Sequence, residues 1–298
     1  MGRFEVTTSQ WAAFMSAVDG REDSDAILFI SPPGAWGGVI DGRYTGPGRR
    51  YVAARGREMM SVGNISWRTA AIYCNWLHNG QSTARSAFMN GAYDVSTFGY
   101  LGGSSIFSDQ LVHNPDAKFF IPNTDEWIKA AHYDPNKNGA GRGGWWRYSI
   151  TSDTTPVYAP PGVLQNGRLG QSNSFGIGSF PGYGPGNIML GAYSAVQSPW
   201  GLFDTSGGCS EWNEDAWLAF GTNPAGRYID SSAWGDGTTQ ANISDQISYI
   251  GSDYPSIDYA DYGFRIAAAI PSPGGVAVFG GLLLLQSRRR RSNCLRTQ

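Results

Sequence analysis

Apolar residues recur at helical spacing near the start of the chain. In "TTSQWAAFMSAV", four apolar residues between Trp11 and Val18 fall at i, i+3, i+4 and i+7, which places them on one face of a helix. Thr7 is followed three residues later by Gln10, and this pair fits a capping box. The pattern predicts a helix that begins directly after Thr7.

Two further stretches predict helices with recognisable ends. In "SWRTAAIYCNWLHNG", Ser66 is a natural N-cap and Gly80 is a typical stop after the last turn. In "PNTDEWIKAAHYD", Asn123 and Glu126 form a second capping box, and Pro122 disfavours helix before it.

The rest of the chain predicts short strands and long loops. The segments "KFFIPN" and "YGFRIAAAI" are typical of strands, whereas residues 135–191 have little periodicity and much Gly and Pro. A loop of that length is unusual inside a compact domain, so we expect a bound ion or its own aromatic side chains to pin it. No internal repeat and no interdomain linker precede residue 270, which favours one domain over residues 1–269.

Composition narrows the class of protein. Charged residues make up 15% of the 298 residues, beside 41 Gly and 11 Trp, which is typical of a loop-rich globular protein and excludes a helical bundle or a disordered chain. Five of the 22 basic residues lie in the last eleven positions, leaving 17 basic against 24 acidic residues over positions 1–287. This acidic body argues against nucleic acid as a partner, because phosphate binding needs a basic face.

Residues 270–298 differ in kind from the body. The apolar run Val276–Leu285 has ten residues, and the uncharged stretch 271–287 approaches the roughly 20 residues that a bilayer span needs. The arginines at 288–291 are typical of a stop-transfer signal, which would stay cytoplasmic and leave the body outside. The alternative is a buried C-terminal element followed by a solvated basic tail.

The N-terminal end conflicts with an exported body. Export requires a signal peptide, and "MGRFEVTTSQW" contains none. Residues 2–6 have the pattern of a strand that runs into the first helix. We therefore expect an upstream segment, with a strand and a signal peptide, in the true gene product.

Five motifs resemble one known family. The chain is similar, over roughly residues 3–269, to the formylglycine-generating-enzyme (sulfatase-modifying factor) domain, in "FEVTTSQWAAFM", "VGNISWRTAAIYCNWL", "FFIPNTDEWIKAA", "SPWGLFDTSGGCSEWNED" and "YGFRIAA". The resemblance implies an α+β, irregular, loop-rich variant of the C-type lectin fold. Residues 270–298 resemble a PEP-CTERM sorting signal, with "PSPG" in place of Pro-Glu-Pro, and imply an exosortase-type processing protease as a partner.

Active members of this family oxidise a sulfatase cysteine to formylglycine with two cysteines that bind copper, since thiolates suit Cu(I). This chain has no cysteine between Arg227 and Ile270, where the resemblance places that pair. A second branch of the family holds iron with histidines in an attached helical domain, whereas this chain has only His78, His113 and His132. We therefore expect no copper and no catalytic residues, with a site relocated to Cys74 and Cys209 as the alternative.

The motif "GLFDTSGGCSEWNED" resembles a structural calcium site of the family. The resemblance implies ligation by the side chains of Asp204 and Glu211 and by the carbonyls of Gly207 and Cys209, and calcium prefers such hard oxygen ligands. The alternatives are a Gly-Gly turn with Glu211 capped by backbone donors, or redox chemistry at the cysteine. A second family calcium site maps near "SNSFG", at Asn173.

These observations predict an exported, surface-anchored or secreted module without catalytic activity. Its loops carry aromatic residues suited to stacking on sugars or packing on protein partners, so we expect a polysaccharide or protein ligand. The candidate contacts are Trp145, Trp146, Tyr148, Tyr183, Trp217 and Trp234. The alternatives are an oxidase acting on sulfatase cysteines and a purely structural component of the envelope or matrix.

Overall fold

Short elements joined by long loops make up the fold. The computed structural model describes residues 1–20, 29–30, 37–219 and 221–269. Within them the helices are α1 (Thr8–Asp19), α2 (Trp67–His78), α3 (Ser86–Met89), α4 (Thr124–His132) and α5 (Thr238–Ser244). The strands are β1 (Gly38–Ile40), β2 (Tyr51–Ala53), β3 (Phe119–Phe120), β4 (Tyr133–Asp134), β5 (Gly144–Trp145), β6 (Leu164–Gln165), β7 (Arg168–Leu169), β8 (Ser210–Ala219), β9 (Asn223–Asp230), β10 (Gly251–Asp253), β11 (Tyr262–Gly263) and β12 (Ala267–Ala268). The α+β, loop-rich class predicted from the sequence is confirmed.

The three predicted helices begin at the predicted caps. The Thr7 hydroxyl accepts from the Gln10 amide, while the Gln10 side chain accepts from the Thr7 amide. The same reciprocal pair joins Asn123 and Glu126 at the start of α4. Ser66 caps α2 through its hydroxyl. Each cap satisfies helix N–H groups that have no partner within the helix.

A four-stranded sheet, in the order β10-β9-β8-β11, positions the residues discussed below. Strands β8 and β9 pair antiparallel, β10 lies antiparallel to β9, and β11 lies parallel to β8. Between the pairs Trp212↔Ile229 and Ala216↔Arg227, residues 213–215 oppose a single residue of β9. This bulge changes the direction of the side chains that follow Trp212.

The predicted strand "YGFRIAAAI" is divided in two. Its first residues form β11 beside β8, and its last residues form β12, which pairs with β3 inside "KFFIPN". Residues 2–6 run extended along the same segment, since the Gly2 amide donates to the Ile266 carbonyl and the Val6 amide to the Phe264 carbonyl.

Aromatic side chains fill the main core between α1, α2 and the sheet. Trp11 of α1 stacks on Tyr73 of α2 with ring centroids 5.6 Å apart, and Tyr73 meets Phe264 edge-on at 5.5 Å. Trp67 and Trp212 are also fully buried in this cluster. Such pairs contribute roughly 0.5–1.5 kcal/mol beyond the area that they bury.

The long loop 135–191 is held by its own aromatics and by one buried acid. Tyr158 and Phe175 form a second small core with Ala241 of α5. The Asp245 carboxylate accepts from the Tyr158 hydroxyl at 3.0 Å and from the Ser206 hydroxyl at 2.6 Å. These contacts agree with the expectation that aromatic residues pin the loop.

Residues 1–268 form one compact unit. Within the described part of the chain, no helix combines the length and apolar character needed to cross a bilayer. The apolar run Val276–Leu285, the arginine cluster and Cys294 lie outside the described residues.

Candidate functional site

The Gly-Gly pair in "GLFDTSGGCSEWNED" allows two buried side chains to approach the backbone. Gly207 and Gly208 have φ values of 85° and 73°, in the left-handed region that favours glycine. A Cβ at Gly208 would lie 1.9 Å from Glu5 Oε1, and one at Gly207 would lie 2.1 Å from Asn173 Oδ1. The Gly208 amide donates to Asn173 Oδ1 at 2.7 Å, and the Cys209 amide donates to both Glu5 oxygens at 3.2 Å.

Glu211 points into the interior, where it forms an ion pair. Arg265 donates from Nη2 to Glu211 Oε1 at 2.5 Å and from Nε to Oε2 at 2.6 Å. Trp127 of α4 adds a hydrogen bond from its indole N–H to Oε2 at 2.8 Å. Neither charged side chain is exposed to solvent. The hydrogen bonds to the Glu211 carboxylate therefore come from side chains, and not from backbone N–H groups as the alternative of a capped Gly-Gly turn predicts.

Two more acids surround this ion pair. Burial, and then the charge of Glu211, raise the pKa of Glu5 well above its usual range. Burial also raises the pKa of Asp204 to about 6, although its carboxylate accepts from the Gly191 amide at 2.7 Å. Three carboxyl groups thus share the single positive charge of Arg265, and a proton on Glu5 reduces their repulsion.

Glu211 already has a cationic partner at the place where the resemblance implies calcium. Both oxygens of Glu211 accept hydrogen bonds from Arg265, whose guanidinium supplies the positive charge that a metal would bring. Across the described ranges, no group of three or more His, Cys, Asp or Glu side chains is placed to hold a metal ion. Calcium ligation by Asp204, Gly207, Cys209 and Glu211 stays a prediction. Unfolding midpoints measured in calcium and in chelator would test it, and equal midpoints would contradict it.

The two described cysteines are separate, buried thiols. Cys74 and Cys209 are not joined in a disulfide. Cys209 Sγ donates to the Val62 carbonyl at 3.4 Å and lies 3.6 Å from the Ser61 hydroxyl. Burial raises the pKa of both thiols well above its usual range, which disfavours the thiolate that nucleophilic and metal chemistry require.

The three histidines have different partners. His78 Nδ1 accepts from the Lys118 amide at 3.2 Å. His113 contacts Glu214 at 2.9 Å, and this hydrogen bond raises the pKa of His113. Burial lowers the pKa of His132 to about 4, so its ring is neutral at physiological pH.

A polar groove of about 360 Å³ lies on the surface between β9, β10, α5 and the loop before β11. We call it the polar groove and define it by six of its lining residues: Asp236, Gln240, Tyr249, Ser252, Tyr259 and Asp261. Tyr262, Ser210 and Ser231 also contribute to its wall. No Lys, Arg, His or Cys is among the described residues that line it.

Both carboxyl groups of the polar groove have a raised pKa. Burial, and then repulsion from Asp261, raise the pKa of Asp236, whose Oδ2 accepts from the Ala233 amide at 3.0 Å. Burial raises the pKa of Asp261. A Cβ at Gly235 would lie 2.7 Å from Asp261 Oδ2, so glycine leaves room for this carboxylate.

The comparison with known families identifies the domain. The family model described as the sulfatase-modifying factor enzyme 1-like domain matches residues 1–270. The chain belongs to this family. No curated protein matches it.

The fold of this sulfatase-modifying-factor-like domain is shared by a solved structure, CarF. The chain is 17% identical to CarF, with a TM-score of 0.50 over 89% of this chain and 84% of that one. Variable protein 1 of Treponema denticola is 17% identical, with a TM-score of 0.45 over 90% and 83% of the two chains. PvdO from Pseudomonas aeruginosa is 16% identical, with a TM-score of 0.45 over 90% and 79%.

The polar groove is formed almost entirely by the C-terminal segment of the sulfatase-modifying-factor-like domain. All its described lining residues except Ser210 lie between residues 229 and 262. This range falls inside the segment where the resemblance places the cysteine pair of active members. Here the same segment presents carboxylates and hydroxyl groups.

The six aromatic residues predicted as ligand contacts do not form one surface of this domain. Trp145, Tyr183 and Trp217 are among the exposed large hydrophobic residues. Tyr148 is buried, and Trp146 donates from its indole N–H to Asp134. Trp234 packs against Gly186, where an added Cβ would lie 3.2 Å from its ring.

The sequence prediction missed the polar groove of this domain. Three Asp-Tyr dipeptides, at residues 253–254, 258–259 and 261–262, were the signal that could have located it. Alternating acids and aromatics supply hydrogen-bond acceptors beside flat apolar surfaces. Two of the three dipeptides contribute lining residues, namely Tyr259, Asp261 and Tyr262.

Proposed function

We propose that this chain is an exported binding module of the sulfatase-modifying-factor-like family, without oxidase activity, and that the polar groove is its ligand site. The observation that carries the proposal is the groove itself, because carboxylates and hydroxyl groups line it in the segment where the resemblance implies a thiol pair in active members. Function belongs to the site rather than to the fold, so membership of the family does not by itself imply oxidation.

The size and chemistry of the groove support a small polar ligand. Its volume of about 360 Å³ lies within the range of roughly 300–1,000 Å³ that is usual for small-molecule sites. Tyr259 is 56% exposed and meets Tyr262 edge-on, with ring centroids 5.1 Å apart. The exposed ring offers a flat apolar surface beside polar groups, which is the combination that sugar rings require.

Placement of the module outside the cell is supported by the sequence of residues 270–298. The apolar run and arginine cluster are typical of a segment that retains a protein at a membrane until it is processed. Fractionation of cells that produce the full chain or a chain without residues 270–298 tests this. We expect the full chain in the membrane or surface fraction; recovery of both forms from the cytoplasm would contradict export.

Binding to the groove is tested with the full chain and a defined set of sugars. The probes are glucose, mannose, galactose, cellobiose, glucosamine and N-acetylglucosamine, each titrated by calorimetry. We expect at least one of them to bind saturably and Tyr259→Ala to weaken that binding by about tenfold, since stacking on one aromatic ring contributes on this scale.

Tyr254→Ala is the matched control, because Tyr254 is 44% exposed in the same segment and does not line the groove. This variant should bind like the unmodified chain. Binding that is equally affected by both substitutions, or no binding by any probe, would contradict the proposed site.

A further inference from the structure

We infer that the polar groove binds an amino sugar through its protonated amine, with Asp236 and Asp261 as the anionic partners. This inference rests on the groove function proposed above and names its ligand class. Three observations support it: the groove is lined by acids without bases, few protein groups donate hydrogen bonds to these acids, and aromatic rings and hydroxyl groups surround them.

The charge of the groove has one sign. Two carboxylates, those of Asp236 and Asp261, line it, and no basic side chain lies among its described lining residues. Asp236 and Asp261 both line the groove, and the negative charge of Asp261 raises the pKa of Asp236, which is the effect expected of repulsion between two carboxylates. A neutral ligand leaves this repulsion in place, whereas a cation between the two groups converts it into attraction.

The acids also lack donors of their own. Within the described residues, no side chain donates a hydrogen bond to the Asp261 carboxylate, and Asp236 accepts from the Ala233 amide through Oδ2 alone. Several lone pairs of these two groove-lining carboxylates are therefore left without a donor among the described residues. An ammonium group offers three N–H donors and forms charge-assisted hydrogen bonds with such oxygens.

The surroundings of the acids suit a sugar ring attached to that amine. Within the described residues, no partner hydrogen-bonds the hydroxyl groups of Tyr249 and Tyr259, so both can serve ring hydroxyls of a ligand. The exposed ring of Tyr259 can stack on the apolar face of a sugar, and an ammonium group near tyrosine rings gains cation–π attraction.

A matched pair of ligands tests the inference on the full chain. Glucosamine and N-acetylglucosamine differ in the charge of the nitrogen, and Nα-acetyl-lysine methylamide carries an ammonium group without a sugar ring. We expect glucosamine to bind at least about tenfold more tightly than either of the others, because hydrogen bonds to charged groups contribute on this scale. Its affinity should fall as salt is added, because salt screens the attraction.

Charge-removing variants locate the effect. Asp261→Asn and Asp236→Asn should each weaken glucosamine binding by about tenfold or more, while binding of N-acetylglucosamine changes little. Asp258→Asn is the control, since Asp258 belongs to the neighbouring Asp-Tyr dipeptide but does not line the groove. Circular dichroism and melting curves confirm that each variant is folded.

The outcomes separate this inference from the function on which it rests. Equal binding of glucosamine and N-acetylglucosamine, unaffected by Asp261→Asn, would show that the amine is not recognised. The groove would then remain a site for neutral sugars. Tighter binding of the lysine derivative than of glucosamine would show that the ligand is an amine without a sugar ring. Failure of all three probes would contradict the amino-sugar inference, while the wider sugar panel and Tyr259→Ala decide whether the groove binds a ligand.

Discussion

Arg265 donates to both carboxylate oxygens of Glu211, although 54 positions separate the two residues in the chain. Arg265 follows β11 and Glu211 lies in β8, so their ion pair reinforces the only parallel contact of the described four-stranded sheet. The Glu211 carboxylate also accepts from Trp127 of α4. One buried pair therefore joins the sheet, the C-terminal segment of the domain and a helix.

The first prediction concerns this ion pair. Arg265→Met should lower the free energy of unfolding by about 3–5 kcal/mol, because it leaves Glu211 buried without its charge partner. Combining it with Glu211→Gln should cost less than the sum of the two single changes, since the pair is coupled. Urea unfolding measures each variant. Arg43→Met, at an exposed position, is the control, and an equal loss in both arginine variants would contradict the assigned role.

The second prediction is that the domain is more stable at pH 5.5 than at pH 8. Burial raises the pKa of Glu5, and it raises the pKa of Asp204 and Asp245 to about 6. The unfolded chain releases these protons near pH 4, so folding stability falls as pH rises from there through the folded pKa values. The lowered pKa of His132 has the opposite effect, because it reduces folding stability as the pH falls below 6.5. This single group opposes three carboxyl groups.

Melting curves across this pH range measure the effect. Glu5→Gln should flatten the dependence, because the amide cannot ionise and keeps a similar shape. A midpoint that rises from pH 5.5 to pH 8, or a slope unchanged in the variant, would show that these carboxyl groups do not control stability.

The third prediction concerns a neighbouring acid. Asp230 lies opposite Glu211 in the β8–β9 ladder, and its carboxylate accepts a hydrogen bond from Nδ2 of the Asn213 side chain. Burial raises the pKa of Asp230 to about 7. Its ionisation therefore penalises the folded state increasingly from about pH 4 to pH 7. Asp230→Asn should stabilise the domain at pH 8 by roughly 1–3 kcal/mol relative to its effect at pH 5.

Chemical unfolding at the two pH values gives this difference directly. Asp116→Asn serves as the control, because Asp116 is exposed and its substitution should have little effect at either pH. A gain in stability that is the same at pH 5 and pH 8 would exclude ionisation of Asp230 as its cause.

Local features of the fold could be predicted from the sequence, and contacts between distant segments could not. The caps at Thr7, Ser66 and Asn123 depend on residues within one helical turn, so short patterns contain all the necessary information. Strands β8 and β9 escaped prediction because β8 buries polar residues and β9 contains Pro and Gly. Their alternation of polar and apolar positions is therefore lost.

The candidate site shows the same limit. The motif around Asp204 and Glu211 was recognisable in the sequence. The contact of Arg265 with this motif was not, because it depends on the parallel pairing of β8 and β11. The polar groove likewise brings together Asp236 and Asp261 from either side of α5 and β10. A single sequence carries no signal for such an approach, although the repeated Asp-Tyr dipeptides indicate surface chemistry.

The fourth prediction is that the protein does not convert a cysteine in a sulfatase-motif peptide to its aldehyde, with or without copper. The segment that resembles the catalytic region contains no cysteine, and the thiol of Cys209 is buried against the Val62 carbonyl. Mass spectrometry of the incubated peptide is the measurement, with an active family member as positive control. An aldehyde product that disappears in Cys209→Ser would reveal a rearranged active site.

Fluorine NMR of the full chain tests whether the polar groove binds the ligand of this domain. Fluorotyrosine is placed at position 259, which lines the groove, or at position 254, which does not. During titration with the sugar that binds best, we expect a saturable shift of the signal at 259 and an unchanged signal at 254. A saturable shift at 254 alone, or binding detected by calorimetry without any change at 259, would place the ligand outside the polar groove.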